Sequence, residues 1–169
     1  MTDFASDPAA SQWQINTRRV SGRRRLHFDH PRQIVEDAQR VAQGRFQPLG
    51  NLSAGQIFMH LARSIDISID GLPERPAWPI RFLARTVFKK WILTRPMRAG
   101  VRLPDKFSRR LIPPETTTEA GLKGLREAVA RLESTRRRRP SPLLGPLTVD
   151  EWNQLHCRHA ELHLSFLGA

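Results

Sequence analysis

The chain has 169 residues, the length of one ordinary domain, and 39% of them are apolar, which excludes a disordered chain. It contains no run of about 18 apolar residues, so no transmembrane helix is predicted. Lys and Arg number 28 against 16 Asp and Glu, a net charge of +12 that attracts nucleic acid, anionic lipid or acidic small molecules.

The basic charge has two interpretations, a nucleic-acid binder or a basic solvated surface, and the second is favoured. The chain has no zinc-finger spacing, no RNP pattern, no clear helix-turn-helix and no tyrosine for base stacking. The single cysteine, Cys157, excludes an internal disulfide. The polar N-terminus does not resemble a secretory signal, so we expect a cytoplasmic protein.

The N-terminal part of the chain predicts a flexible tail followed by an arm. Residues 1–14 are polar and form the expected tail, while residues 15–169 are expected to form a single domain. Residues 15–28 mix arginines with a few apolar side chains, which predicts an irregular arm that packs on the helices. A phosphate-binding role for these arginines is the alternative.

The first predicted helix begins near Pro31. Asp29 or His30 can cap it, and proline suits the first helical position. One apolar stripe then follows with helical spacing: Ile34, Ala38, Val41 and Ala42.

The second predicted helix runs from Ser53 to about Asp70. Ser53 with Gln56 three residues later is a capping-box pattern, and Gly71 followed by Pro73 ends the helix. One face carries Ile57, Leu61, Ser64, Ile65 and Ser68, and His60 lies on that same face.

Residues 72–115 form a long, proline-rich connection in which Ile80–Leu93 can form a short helix. This helix carries apolar side chains around much of its circumference and basic side chains around the rest. It could lie on a membrane surface, or it could be a cap that packs over the helices. We favour the cap, because a domain of this size needs to bury as much of its apolar surface as it can.

Two more amphipathic helices complete the pattern. The third runs from about Thr118 to Thr135, and the last opens with the capping box of Thr148 and Glu151 and continues to about Leu167. No sustained strand pattern is found. Four amphipathic helices with a long second connection predict an all-α four-helix bundle.

Histidines occupy the face of the last helix that should point into the core. The stripe contains Trp152, Leu155, His156, His159, Leu162, His163 and Phe166. Burying a polar ring requires partners, and His159 and His163 are one turn apart, so their rings can converge on one divalent ion. His60 is the natural third ligand. The alternative is that the pair only forms hydrogen bonds.

Three protein ligands leave a coordination position open, as in catalytic zinc sites, and a water bound there could be acidified. Imidazole suits zinc and nickel, with iron and copper left open. His156 is interpreted first as a partner that orients the ligands, then as a substitute ligand or general base. Glu161 points about 200° away from His159 and is expected to be solvated. Cys157 is likewise expected to lie off the inward stripe.

Several segments resemble the DinB/YfiT-like superfamily of metalloenzymes, and more narrowly one of its bacterial branches of unknown function. They are Gly22–Phe28, Asn51–Ile57, His60–Ala62, Ser68–Gly71, Gly145–Thr148 and His159–Leu164. The resemblance spans roughly residues 15–168. It implies a four-helix bundle with a long connection between helices 2 and 3. It also implies a metal triad at His60, His159 and His163.

The resemblance implies a metal-dependent enzyme with a small-molecule substrate, of the hydrolase or thiol-dependent transferase type. A thiol cosubstrate and a homodimer belong to the same expectation, and the ion is expected to be zinc or nickel. Neither nucleic acid nor a membrane is expected as a partner. The alternatives are a non-enzymatic basic protein that binds nucleic acid or anionic lipid, and a structural bundle with vestigial histidines.

Overall fold

The computed structural model of the protein describes residues 15–72, 78–101 and 110–168, and these are mostly helical. The helices are α1 (Pro31–Gln43), α2 (Ala54–Asp70), α3 (Trp78–Leu83), α4 (Lys89–Thr94), α5 (Thr118–Ser134) and α6 (Val149–Leu164). A π-helical segment, Ala84–Phe88, joins α3 to α4. The all-α prediction is confirmed at this level. The expected tail, residues 1–14, and parts of the 72–115 connection lie outside the described residues.

Side-chain caps define where the long helices begin. Three of them start with a capping box, formed by His30 with Gln33, Ser53 with Gln56, and Thr148 with Glu151. α5 begins at Thr117, whose hydroxyl accepts from the N–H of Ala120. These bonds satisfy N–H groups that have no partner within the helix. The predicted helix starts are therefore confirmed.

The last helix ends at Leu164, three residues before the predicted end. Beyond it, Leu167–Gly168 pairs antiparallel with Gln47–Pro48 as a two-residue strand on each side. The N–H of Leu49 also donates to the carbonyl of Phe166. Strands of two residues are too short to produce the alternation of apolar and polar residues by which a strand is recognised in a sequence.

One apolar core joins α1, α2, α5 and α6, and the arm contributes Phe28 to it. α2 and α5 form the most extensive helix pair. Their backbones approach each other at Gly55 and Gly121, where a Cβ added to Gly121 would lie 2.9 Å from the Cα of Gly55. Only glycine at these positions permits this approach, which brings α2 close to its neighbours.

The predicted N-terminal arm is attached to the helices mainly by its arginines. The Arg24 guanidinium donates to both carboxylate oxygens of the buried Asp37, at 3.0 and 2.7 Å, and to the carbonyl of Leu164. Arg23 donates to the hydroxyl of Ser165 and lies over the ring of Phe166. These arginines are engaged inside the protein, which argues against the phosphate-binding alternative for them.

The short helical segment Trp78–Thr94 is longer than the predicted Ile80–Leu93, and among the described residues one of its sides packs against the rest of the protein. Its Ala84 and Leu93 form a second, small apolar cluster with Leu144, and α4 lies against α6. The expected cap is therefore found on the inner side of the segment alone. Of the helices in the described ranges, none has the length and apolarity needed to cross a bilayer.

Candidate metal centre

Three histidine rings from two helices meet at one point. Each of His60, His159 and His163 offers a ring nitrogen, and these nitrogens lie within 4.8 Å of one another. The Nε2 atoms of His60 and His159 are 3.2 Å apart. The ring centroids are separated by 4.4 to 5.0 Å. The predicted grouping of these three residues is confirmed, and the cluster could hold a metal ion.

Local helix geometry explains half of this arrangement. His159 and His163 are four residues apart on α6, so their side chains lie on one face, one turn from each other. His60 comes from α2, which packs against α6. The pairing of the two helices therefore supplies the third ring.

A backbone carbonyl orients the His60 ring. Its Nδ1 lies 3.1 Å from the carbonyl oxygen of Leu111. Because a carbonyl can only accept, Nδ1 carries the proton and the lone pair of Nε2 points at the other two rings. Two nitrogens bound to one tetrahedral zinc at about 2.0–2.1 Å are roughly 3.3 Å apart. The observed 3.2 Å between the Nε2 atoms of His60 and His159 is close to this separation.

The surroundings keep the three rings neutral. Burial lowers the pKa of His60, His159 and His163 below the usual range, and the neighbouring rings lower the pKa of the last two further. The positive charge of Arg63 also lowers the pKa of His60, and that of Arg23 lowers the pKa of His163. Neutral imidazole is the form that binds metal. His60 is buried, while His159 and His163 have intermediate exposure.

His156 is buried one turn before His159 but does not contact the cluster through a hydrogen bond. Its ring stacks on Trp152, with centroids 5.3 Å apart and planes 20° apart. Its Nε2 has no hydrogen-bond partner among the described residues. Burial, followed by the charge of Arg138, lowers the pKa of His156 to about 3. Its expected role in orienting a ligand or moving a proton stays a prediction.

Glu161 is buried, contrary to the prediction that it is solvated. It is 7% exposed, pairs with Arg158 at 2.7 Å and accepts from the N–H of Phe28 at 2.6 Å. Arg158 also donates to the carbonyl of Phe28. The arm covers this face of α6, which helical phase alone could not reveal. The i, i+3 pairing of Arg158 and Glu161 was the only local signal.

Cys157 is buried in the core although helical phase puts it off the stripe that carries the histidines. α6 is covered on more than one face, by the arm as well as by the other helices. Burial raises the pKa of the Cys157 thiol to about 11. The thiol therefore stays protonated at neutral pH and is unsuited to metal binding. The candidate cluster of His60, His159 and His163 does not include it.

Comparison with known proteins gives one result. No curated protein matches the chain, and no solved structure matches it. Residues 20–169 match the model of a family described as Protein of unknown function (DUF1569). That description names no activity, so membership by itself assigns none. Because the match covers nearly the whole sequence, the chain belongs to the DUF1569 family.

Proposed function

We propose that this protein is a metal-dependent enzyme that holds a divalent ion, zinc or nickel, through His60, His159 and His163. The reaction class is hydrolysis or thiol-dependent transfer on a small molecule. The observation that carries the proposal is the convergence of three ring nitrogens within 4.8 Å.

The residues fit such an ion in charge and orientation. All three imidazoles are held neutral by burial. The carbonyl of Leu111 accepts a hydrogen bond from the Nδ1–H of His60, which leaves the lone pair on Nε2 available to bind. A bound ion would act as a Lewis acid and lower the pKa of water in its open position.

Two arginines that have hydrogen-bond partners in the protein still place positive charge near the cluster. The positive charge of Arg23 lowers the pKa of His163, and that of Arg63 lowers the pKa of His60, so both arginines contribute to the electrostatic potential at the cluster. Arg23 is held in place by the hydroxyl of Ser165. This field supports an anionic substrate or a thiolate cosubstrate, since both are stabilised by positive charge.

The fold is consistent with a DinB/YfiT-like four-helix bundle. α1, α2, α5 and α6 share one core, and the long 72–115 connection separates the second from the third of these helices. In this proposal His156 is a positioning residue or a general base near the metal. A homodimer is part of the same family-level proposal.

The metal content of the protein tests the proposal directly. Protein purified without a metal-binding tag is expected to carry about one equivalent of zinc or nickel, measured by elemental analysis. His163→Ala and His159→Ala are expected to lose it, because two imidazoles hold an ion weakly. His27→Gln is the matched control, since His27 lies in the arm with a largely exposed side chain. Stoichiometric metal retained in His163→Ala would refute the assignment.

A further inference from the structure

The outer side of the helical segment Trp78–Thr94 is apolar and exposed to solvent. Its large side chains are between 44% and 70% exposed: Trp78, Ile80, Phe82, Leu83, Val87 and Trp91. The rings of Trp78 and Phe82 stack, with centroids 5.7 Å apart. We call this surface the outer face. A cluster of exposed apolar side chains of this size indicates an interaction site, because monomeric proteins rarely leave large apolar surfaces uncovered.

The inner side of the same segment already has its partners. Ala84 and Leu93 are buried against Leu144 in the small second cluster. The segment is therefore apolar on both sides, and within the part of the chain that the structure describes only one of them is covered by packing. Folding alone does not account for the outer face.

The segment that carries the outer face has only basic charges in its own sequence. From Trp78 to Val101 the sequence has six basic residues and no acidic residue: Arg81, Arg85, Lys89, Lys90, Arg95 and Arg98. Lys89 pairs with Glu151 of α6 at 2.7 Å. Arg85, Lys90, Arg95 and Arg98 are exposed. A partner of the outer face must therefore accept apolar side chains and also carry negative charge.

We propose that the outer face docks on the surface of an anionic lipid bilayer. Interfacial helices combine Trp, Phe and aliphatic side chains with Lys and Arg, and tryptophan is favoured at the boundary between headgroups and acyl chains. A second copy of the chain would bring two basic segments together, and like charges at an interface are unfavourable. The proposal replaces the expectation, drawn from sequence alone, that no membrane takes part.

Vesicle co-sedimentation tests this docking, with phosphatidylcholine vesicles compared to vesicles that also contain phosphatidylglycerol. The full-length protein is expected to bind the anionic vesicles, to bind more weakly as salt is raised, and to remain free with neutral vesicles. Lys90→Ala is expected to weaken binding about fivefold, the effect of one basic residue near a charged membrane. Phe82→Glu is expected to weaken it more than tenfold.

A matched control separates the outer face from general apolar exposure. Val149 is 38% exposed at the start of α6, where it lines a surface groove with Thr135 and Arg136, and Val149→Glu is expected to leave binding unchanged. Equal binding of the parent and Phe82→Glu would overturn the proposal, as would no binding to anionic vesicles. A concentration-dependent dimer that Phe82→Glu abolishes, measured by sedimentation equilibrium, would assign the face to a second copy and also overturn it.

Discussion

The contact between Gly55 and Gly121 allows a test of how α2 is held against α5. In Gly121→Ala the new Cβ would lie 2.9 Å from the Cα and 3.0 Å from the carbonyl carbon of Gly55, with the carbonyl oxygen closer still. Ordinary van der Waals contact begins at 3.4 Å. The two backbones must therefore separate by about 0.5 Å or more, because neither atom can rotate away.

The size of the effect follows from two opposing contributions. Overpacking costs about 1–3 kcal/mol or more, and a contact between two backbones belongs at the upper end. Alanine recovers about 1 kcal/mol over glycine inside a helix. We expect Gly121→Ala to lower the free energy of unfolding by about 2 kcal/mol. In a domain of this length that corresponds to a Tm lower by roughly 4–8 °C.

Gly124→Ala is the matched control, three residues further along α5. Its new Cβ would meet the Cε of Met59 at 2.9 Å, the flexible end of a side chain that can turn aside. We expect its free energy of unfolding to be unchanged or up to about 1 kcal/mol higher. Thermal and urea unfolding would measure both variants. If Gly121→Ala proved as stable as Gly124→Ala, the close backbone approach would be refuted.

Three further changes test the site and its surroundings. In protein from which metal has been removed by a chelator, the free energy of unfolding should fall as the pH drops from about 6.5 towards 3. The reason is that His156 has a pKa of about 3 when folded and about 6.5 when unfolded, so the unfolded state takes up the proton first. Urea titrations of His156→Gln should show a loss of stability between pH 7 and pH 5 that is smaller by roughly 2 kcal/mol. Arg158→Met should cost about 3–5 kcal/mol, since Glu161 would be left buried and unpaired, and Arg158→Met combined with Glu161→Leu should recover part of it. Zinc at 100 times its Kd should add about 2.7 kcal/mol, and calorimetry showing no change in Tm would contradict the site.

The sequence by itself was sufficient to predict the long helices and their starts. In each capping box, Ser53 with Gln56 and Thr148 with Glu151, the two residues are only three positions apart, so no distant contact is needed to recognise it. The spacing of His159 and His163 is equally local, because a helix of known pitch places residues four apart on one face. These features depend only on neighbours along the chain.

The tertiary structure alone decided which surfaces meet and which stay open. His60 lies 99 positions from His159 along the chain, and their 3.2 Å contact depends on how α2 packs against α6. The burial of Glu161 and Cys157 depends on an arm that returns across α6. Among the described residues, the inner side of Trp78–Thr94 has packing partners while its outer face remains exposed. Contacts of this kind are set by the packing of distant segments, which leaves no periodic signal in the sequence.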